Sequence, residues 1–354
     1  SPGRHRTGYT SAMNIETEAM NADFDAAEFA LNQRTRDREL AERLVALRKA
    51  AGTDEPETPV ARAYRDLMHQ VDADEIEALV TQLHERGYVI VEGLLDDAQV
   101  DHARQVLEPM YDGVRKIFAS PEHIERGTKQ TVHVQNVLAK TDGIDAIATL
   151  PRLRALVAGI LGIDFIMNAG AVAMSPDPGC SPQGLHRDDG FFAHFPRPRI
   201  PLVVTAAIAL DDFAPENGGT QIVPGSNCWV AGRQPGESDI MRCSMPAGSV
   251  LVWDGAVLHG GGGNKTRRSR RTLTLNYTRG WLRTQFNQYL SIPRERVLSM
   301  SPELQADLGY HRSAMGLGGC DLQDPLAYLR LMQEGGGDGA QPGLGYESRA
   351  DMQA

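Results

Sequence analysis

Apolar residues recur at helical spacing through the first part of the chain, then give way to short β-type runs punctuated by Gly and Pro. From about Asp25 to Lys49, Phe29, Leu31, Leu40, Leu44 and Leu47 lie among many Ala, Arg and Glu residues, all good helix formers, so this stretch predicts a helix. Ala51-Gly-Thr-Asp-Glu-Pro-Glu-Thr-Pro breaks it and reads as a linker. Asp72-Ala-Asp-Glu opens another helix, with acidic groups in the first turn where free N–H groups favour negative charge. Ile76, Leu79, Val80 and Leu83 supply its apolar face as far as Gly87. Tyr88-Val-Ile-Val-Glu is rich in β-branched residues and predicts a short strand, followed by a helix from about Asp97 to Phe118.

Beyond Gly162 the pattern predicts strands near Phe165 to Met174, Leu202 to Leu210, Thr220 to Val223, Ser249 to Trp253 and Thr272 to Arg279. Turns such as Glu216-Asn-Gly-Gly and Pro246-Ala-Gly separate them, which suits an antiparallel barrel or jelly roll better than alternating βαβ units. The fold class expected is therefore mainly β with flanking helices. One domain over residues 25–334 is expected, with a helical N-terminal layer at 25–160, a β core at about 163–290 and a C-terminal segment at 291–334. Residues 1–24 read as a flexible leader or cloning remnant, and 335–354, opening with Gly335-Gly-Gly-Asp-Gly, as a flexible tail.

At 354 residues and 41% hydrophobic content the chain can bury a sizeable core. A net charge of −10 argues against a nucleic-acid partner, since phosphate binding needs a basic surface. No window approaches the run of about 18 apolar residues that a membrane span needs, so a cytoplasmic protein without a membrane partner is expected. The four cysteines, Cys180, Cys228, Cys243 and Cys320, form no C-x-x-C and read as free thiols. A homo-oligomer is compatible with all of this.

The candidate chemistry begins at Gln183-Gly-Leu-His186-Arg-Asp188-Asp189. On an extended strand alternate side chains leave the same face, so His186 and Asp188 would stand side by side and Asp189 would point away as a structural neighbour. His259 lies 73 residues on, also beside glycine, and an antiparallel framework can close that separation. Two imidazoles and one carboxylate on one face suit non-haem Fe(II) and leave positions for other ligands, although zinc accepts the same donors. Arg270 and Arg271 alternate, so only one can look inward, where its planar fork could take a carboxylate through two hydrogen bonds. Arg267, Arg268 and Arg271 read as parts of a solvated loop, and His69, His84, His102 and His123 as imidazoles without a special task.

Several segments together resemble the phytanoyl-CoA dioxygenase family of Fe(II)/2-oxoglutarate-dependent oxygenases. They are Gln183-x-x-His186-x-Asp188, Glu216-Asn-Gly-Gly-Thr220 with Val223-Pro-Gly-Ser226, and His259-Gly-x-Gly-x-Asn264 with Arg270 eleven residues after the histidine. Gly87-Tyr-Val-Ile-Val-Glu-Gly-Leu-Leu, Gly280-Trp-Leu-Arg283 and Asn287-Gln-Tyr-Leu290 extend the likeness over roughly Asp72 to Leu331. The resemblance implies a double-stranded β-helix core of the jelly-roll, cupin-like kind, with Fe(II) held by His186, Asp188 and His259. It implies that Arg270 grips the distal carboxylate of the cosubstrate 2-oxoglutarate, with Gln183, Thr220 and Asn136 as further polar contacts and O2 as second cosubstrate. A carboxylate at position 188 argues against the related halogenases, which carry a small residue there.

The expected partner is a small organic, natural-product-like molecule, hydroxylated at an unactivated C–H bond with release of succinate and CO2. Phe191, Phe192, His194 and Phe195 either line an apolar pocket or, the preferred reading, pack as core or loop-closing aromatics. Arg197, Arg199, Arg279 and Arg283 read as surface ion pairs rather than substrate contacts. The rival readings are a cupin-like metalloenzyme that does not use 2-oxoglutarate and a jelly-roll binding protein without turnover.

Overall fold

Two antiparallel sheets pack face to face and carry the rest of the chain on their outer side. The structure, a computed structural model, describes residues 26–52, 59–119, 131–230, 232–313, 316–320 and 323–334. The expected leader at 1–24, the tail at 335–354 and most of the linker after Ala51 lie outside the described residues. The strands are β1 Tyr88–Val91, β2 Val132–Val134, β3 Phe165–Ser175, β4 Val203–Ala209, β5 Gln221–Ile222, β6 Met241–Arg242, β7 Val250–Asp254, β8 His259–Gly260 and β9 Thr272–Arg279. The larger sheet runs β1-β7-β4-β9-β3-β2 and the smaller β6-β5-β8. The assembly is an open jelly-roll sandwich rather than a closed barrel, because β1 and β2 end the larger sheet without pairing to the smaller one.

Period-two alternation divides the larger sheet into two different faces. Val204, Ala206 and Ile208 of β4, Val250 and Val252 of β7, and Leu273, Leu275 and Tyr277 of β9 join the main core under the helices. Their alternates Ala207, Ala209, Leu251 and Trp253 meet Ile222, Phe213 and Met245 between the sheets. In β9 the alternates are Thr272, Thr274 and Asn276, which line a cavity there instead. In β4 and β9 the face toward the smaller sheet thus carries the polar positions Thr205, Thr272, Thr274 and Asn276.

The helices are α1 Ala26–Ala51, α2 Pro59–Met68, α3 Ala73–Arg86, α4 Asp97–Phe118, α5 Pro151–Leu161 and α6 Pro325–Glu334, with shorter turns between Asp145 and Asp307. Asp72 caps α3 by accepting from the backbone N–H groups of Asp74 and Glu75, and Gly87 ends it at φ 80°. A Cβ on Gly87 would lie 2.3 Å from Val257, so glycine is needed for space as well as conformation. Three of these helices, α2, α5 and α6, escaped the sequence reading. In α5, Leu153, Ala155, Leu156, Val157, Ala158, Ile160 and Leu161 are all buried, so no polar stripe marks it as amphipathic. In α2 a proline opens the helix at the position where its missing N–H costs nothing. Among the described residues no helix is long and apolar enough to cross a membrane.

Candidate metal centre

His186 and His259 form an isolated antiparallel bridge at the end of the smaller sheet. His186 N donates to His259 O at 2.8 Å and His259 N to His186 O at 3.0 Å. The two rings consequently lie 4.5 Å apart. Each Nδ1 donates to a carbonyl two residues back, His186 to Gly184 at 3.0 Å and His259 to Val257 at 3.1 Å. That fixes the tautomer and leaves each Nε2 lone pair free, the arrangement that orients a ligating imidazole. Asp188 Oδ1 lies 3.8 Å from His186 Nε2 and 3.4 Å from His259 Nε2. One donor atom from each of the three residues falls within 4.8 Å of the others, a fit for one metal ion.

His186 and Asp188 do not sit on a regular strand as the sequence suggested. The chain leaves the single bridge at His186 and turns at Asp188. Arg187, between them, is drawn the other way, donating to Ser226 O at 2.9 Å and to Ala256 O, and this anchors the turn. The run after His259 is glycine because it passes against neighbouring backbone. A Cβ on Gly262 would meet Gly219 O at 2.6 Å.

Asp188 Oδ2 is held from the larger sheet. Thr205 Oγ1 donates to it at 2.6 Å and Trp253 Nε1 at 3.1 Å, while Asn276 Nδ2 donates to Thr205 Oγ1 at 2.5 Å. Burial by itself would raise the Asp188 carboxyl, but the His259 and His186 rings beside it and the hydrogen bond from Thr205 hold it well below the usual carboxylate range. His186 is lowered by burial and by its proximity to His259. Burial pushes His259 down too, yet Asp188 outweighs it and raises the imidazole. The site is thus an anionic carboxylate facing two imidazoles.

The triad opens into a cavity of about 630 Å³ that Gln183, Thr220 and Arg270 also line. Arg270 is buried, donates through Nη2 to Gly218 O at 2.5 Å and through Nη1 to Thr272 Oγ1, and lies 3.9 Å over the Phe213 ring. Its Nε has no partner, and no carboxylate pairs with it among the described residues. Burial pushes the guanidinium down to about 10. Gln183 Oε1 accepts from Gly261 N at 2.8 Å, which leaves its amide N–H groups for the cavity. Asn136 does not join the group. Its amide donates to Ser291 O at 3.0 Å, and its neighbour Gln135 lines the cavity instead.

Other expectations change. Asp189 does face away from the site, as alternation suggested, and receives Arg197 Nη2 at 3.0 Å and Arg199 Nε at 3.0 Å, all three side chains buried. Arg197 and Arg199 are therefore interior rather than surface pairs, as is Arg279, which meets Glu39 at 2.6 Å. Arg271 is no loop cation either, since it pairs with Asp211 at 2.8 Å and Glu108 at 3.0 Å on the opposite face from Arg270. Phe191 is 67% exposed and lines the cavity, and Phe195 is exposed against Trp281, so neither packs in the core. Thr205 and Asn276 are the residues that sequence reading missed. Thr205 left a signal as the single polar position inside the otherwise apolar strand Val203–Ala209, whereas Asn276 is one of several polar residues in Thr272–Arg279 and did not stand out.

Two imidazoles and a carboxylate converging in a jelly-roll sandwich, with a cavity in front of them, define a site for a single metal ion with coordination positions to spare. The chain belongs to the phytanoyl-CoA dioxygenase (PhyH) family, whose profile matches residues 83–272. It is 28% identical over 281 residues to dioxygenase swnH2 of Arthroderma benhamiae, covering 73% of this chain and 88% of that one. It is 30% identical over 248 residues to dioxygenase cdmA of Talaromyces verruculosus, covering 66% and 83%. Among solved structures, the epimerase SnoN in complex with Fe3+, alpha ketoglutarate and nogalamycin RO aligns with 62% of this chain and 90% of its own, at 24% identity and a TM-score of 0.47.

Proposed function

We propose that this chain is an Fe(II)/2-oxoglutarate-dependent dioxygenase that oxidises, by hydroxylation, an unactivated C–H bond of a small organic molecule. The observation that carries the reading is one cavity holding both halves of the required chemistry. Three metal-donor atoms within 4.8 Å of one another share it with Arg270, a buried guanidinium that meets no carboxylate among the described residues. Family membership supports the same reading.

His186 Nε2, His259 Nε2 and Asp188 Oδ1 would hold iron, and Arg270 would take the distal carboxylate of 2-oxoglutarate. A buried cation without a counter-charge is costly, and an incoming dicarboxylate relieves that cost through charge-assisted hydrogen bonds. Gln183 and Thr220 face the same cavity and offer the cosubstrate an N–H and a hydroxyl. Iron with 2-oxoglutarate and O2 supplies the oxidation, releasing succinate and CO2, and the protein supplies binding and orientation. On the substrate side, Leu185, Phe191, Leu258 and Phe286 share the cavity with Thr131, His133 and Gln135. Such a mixed wall suits a largely apolar molecule carrying a few polar groups.

Anaerobic addition of Fe(II) and 2-oxoglutarate to the purified chain should give a visible metal-to-ligand charge-transfer band. Absence of the band in a protein that binds iron would reject the cosubstrate assignment. A screen of small molecules by succinate release, with mass detection of a gain of one oxygen, then tests hydroxylation.

A further inference from the structure

We propose that Thr205, Trp253 and Asn276 are positioning residues that restrict Asp188 to a one-oxygen metal ligand. The proposal rests on the metal assignment above and adds to it which carboxylate oxygen is available and why.

The argument starts from register. Thr205 of β4 lies opposite Trp253 of β7 and, on its other side, opposite Asn276 of β9. Directly paired residues present their side chains on the same face of a sheet within contact distance, so the three form one row across the inner face. Asp188, arriving from the turn after His186, meets that row with Oδ2. A tryptophan N–H can only donate, and it donates to Oδ2 at 3.1 Å. A threonine hydroxyl has one proton to give and lone pairs to receive. Thr205 gives its proton to Oδ2 at 2.6 Å and receives Asn276 Nδ2 at 2.5 Å. Asn276 therefore sets the direction of the hydroxyl, and the hydroxyl sets the carboxylate.

With two donors on Oδ2, a two-oxygen grip on a metal would require that oxygen to abandon both. Oδ1 carries neither bond and is the oxygen that faces the imidazoles, 3.4 Å from His259 Nε2. A carboxylate held through one oxygen occupies one coordination position and leaves the rest for cosubstrates. The Trp253 ring also lies 4.8 Å from that of His259, so the same side chain borders two of the three ligands.

The test uses Co(II) alone as a probe, titrated into the full chain and followed by its visible d–d bands and by tryptophan fluorescence. Thr205→Val keeps the shape and loses the hydroxyl; Trp253→Phe keeps an aromatic ring and loses the N–H. Each should weaken Co(II) binding by about 10–100-fold, the usual effect of removing a partner that orients a metal ligand, and change the d–d intensity as the coordination number shifts. Thr205→Ser should bind like wild type. Thr274→Val, on the same face of β9 but without a bond to Asp188, should also bind like wild type. Folded Thr205→Val and Trp253→Phe proteins with wild-type affinity and spectra would overturn the proposal, as would a Thr205→Ser variant as weak as Thr205→Val. If Thr205→Val does not fold, Trp253→Phe decides alone. A wild-type chain that takes up no Co(II) would reject the metal assignment itself, an outcome distinct from the others.

Discussion

His186 and His259 exchange both of their backbone hydrogen bonds, at 2.8 and 3.0 Å, so main-chain pairing rather than side-chain packing brings the two imidazoles together. The metal ligands can then be removed without dismantling what positions them. His186→Ala and His259→Ala should each lower Fe(II) or Co(II) affinity by more than roughly 100-fold, beyond the usual loss for an outer partner. Both should keep a melting temperature close to that of the metal-free wild type. Calorimetric titration beside thermal melts checks this, and undiminished affinity in either variant would remove that histidine from the ligand set.

Arg270 separates cosubstrate binding from general electrostatics. Losing a hydrogen-bonded charge partner costs about 1.5–3 kcal/mol, so Arg270→Ala should raise the 2-oxoglutarate requirement roughly 10–150-fold. Arg270→Lys should recover little of it, because an ammonium lacks the planar fork. Arg267→Ala, on the exposed loop nearby, should leave the requirement unchanged. Titration of the charge-transfer band measures all three, and equal effects at 267 and 270 would mean the wrong arginine is assigned.

Asp189 should matter for stability. Its removal strands two buried guanidinium groups, Arg197 and Arg199, and breaking a buried pair from one side typically costs about 3–5 kcal/mol. Urea unfolding of Asp189→Ala reads that loss. The Arg38–Glu42 pair gives the comparison. Its side chains are 75% and 70% exposed, and Glu42→Ala should cost about 1 kcal/mol or less. Similar losses for the two variants would contradict the interior role of Asp189.

Acidification should destabilise the fold through His133. Burial lowers this imidazole, against a smaller opposing effect from its bond to Thr131 O. Its folded pKa lies below the unfolded one, so the unfolded chain binds more protons and stability rises with pH. The contribution is fully present above the ordinary histidine value of about 6.5 and is lost as pH falls through the folded value. Melting temperature should therefore drop between pH 7 and 5, with a shallower slope in His133→Gln. Parallel slopes would show that His133 does not titrate with unfolding.

Six of the nine described strands, β1, β3, β4, β5, β7 and β9, were legible in the sequence, whereas β2, β6 and β8, two or three residues each, were not. Thr272 to Arg279 reads as a strand from its β-branched residues, and the structure forms it over the same residues. His186, Asp188 and His259 stood out by residue type, spacing and neighbouring glycines, which are local properties, although the strand expected to carry His186 and Asp188 is a single bridge followed by a turn. Helix α5 was illegible for an equally local reason: buried all round, it shows no periodic contrast. Only the tertiary structure shows which oxygen of Asp188 is free, that Arg270 meets no carboxylate among the described residues, and that Arg197 and Arg199 turn inward on Asp189. The Asp188 contacts depend on strands far apart in the chain meeting at one register, which no short window of sequence encodes, whereas Arg197 and Arg199 lie within ten residues of Asp189 and are turned inward by the path of the loop between them.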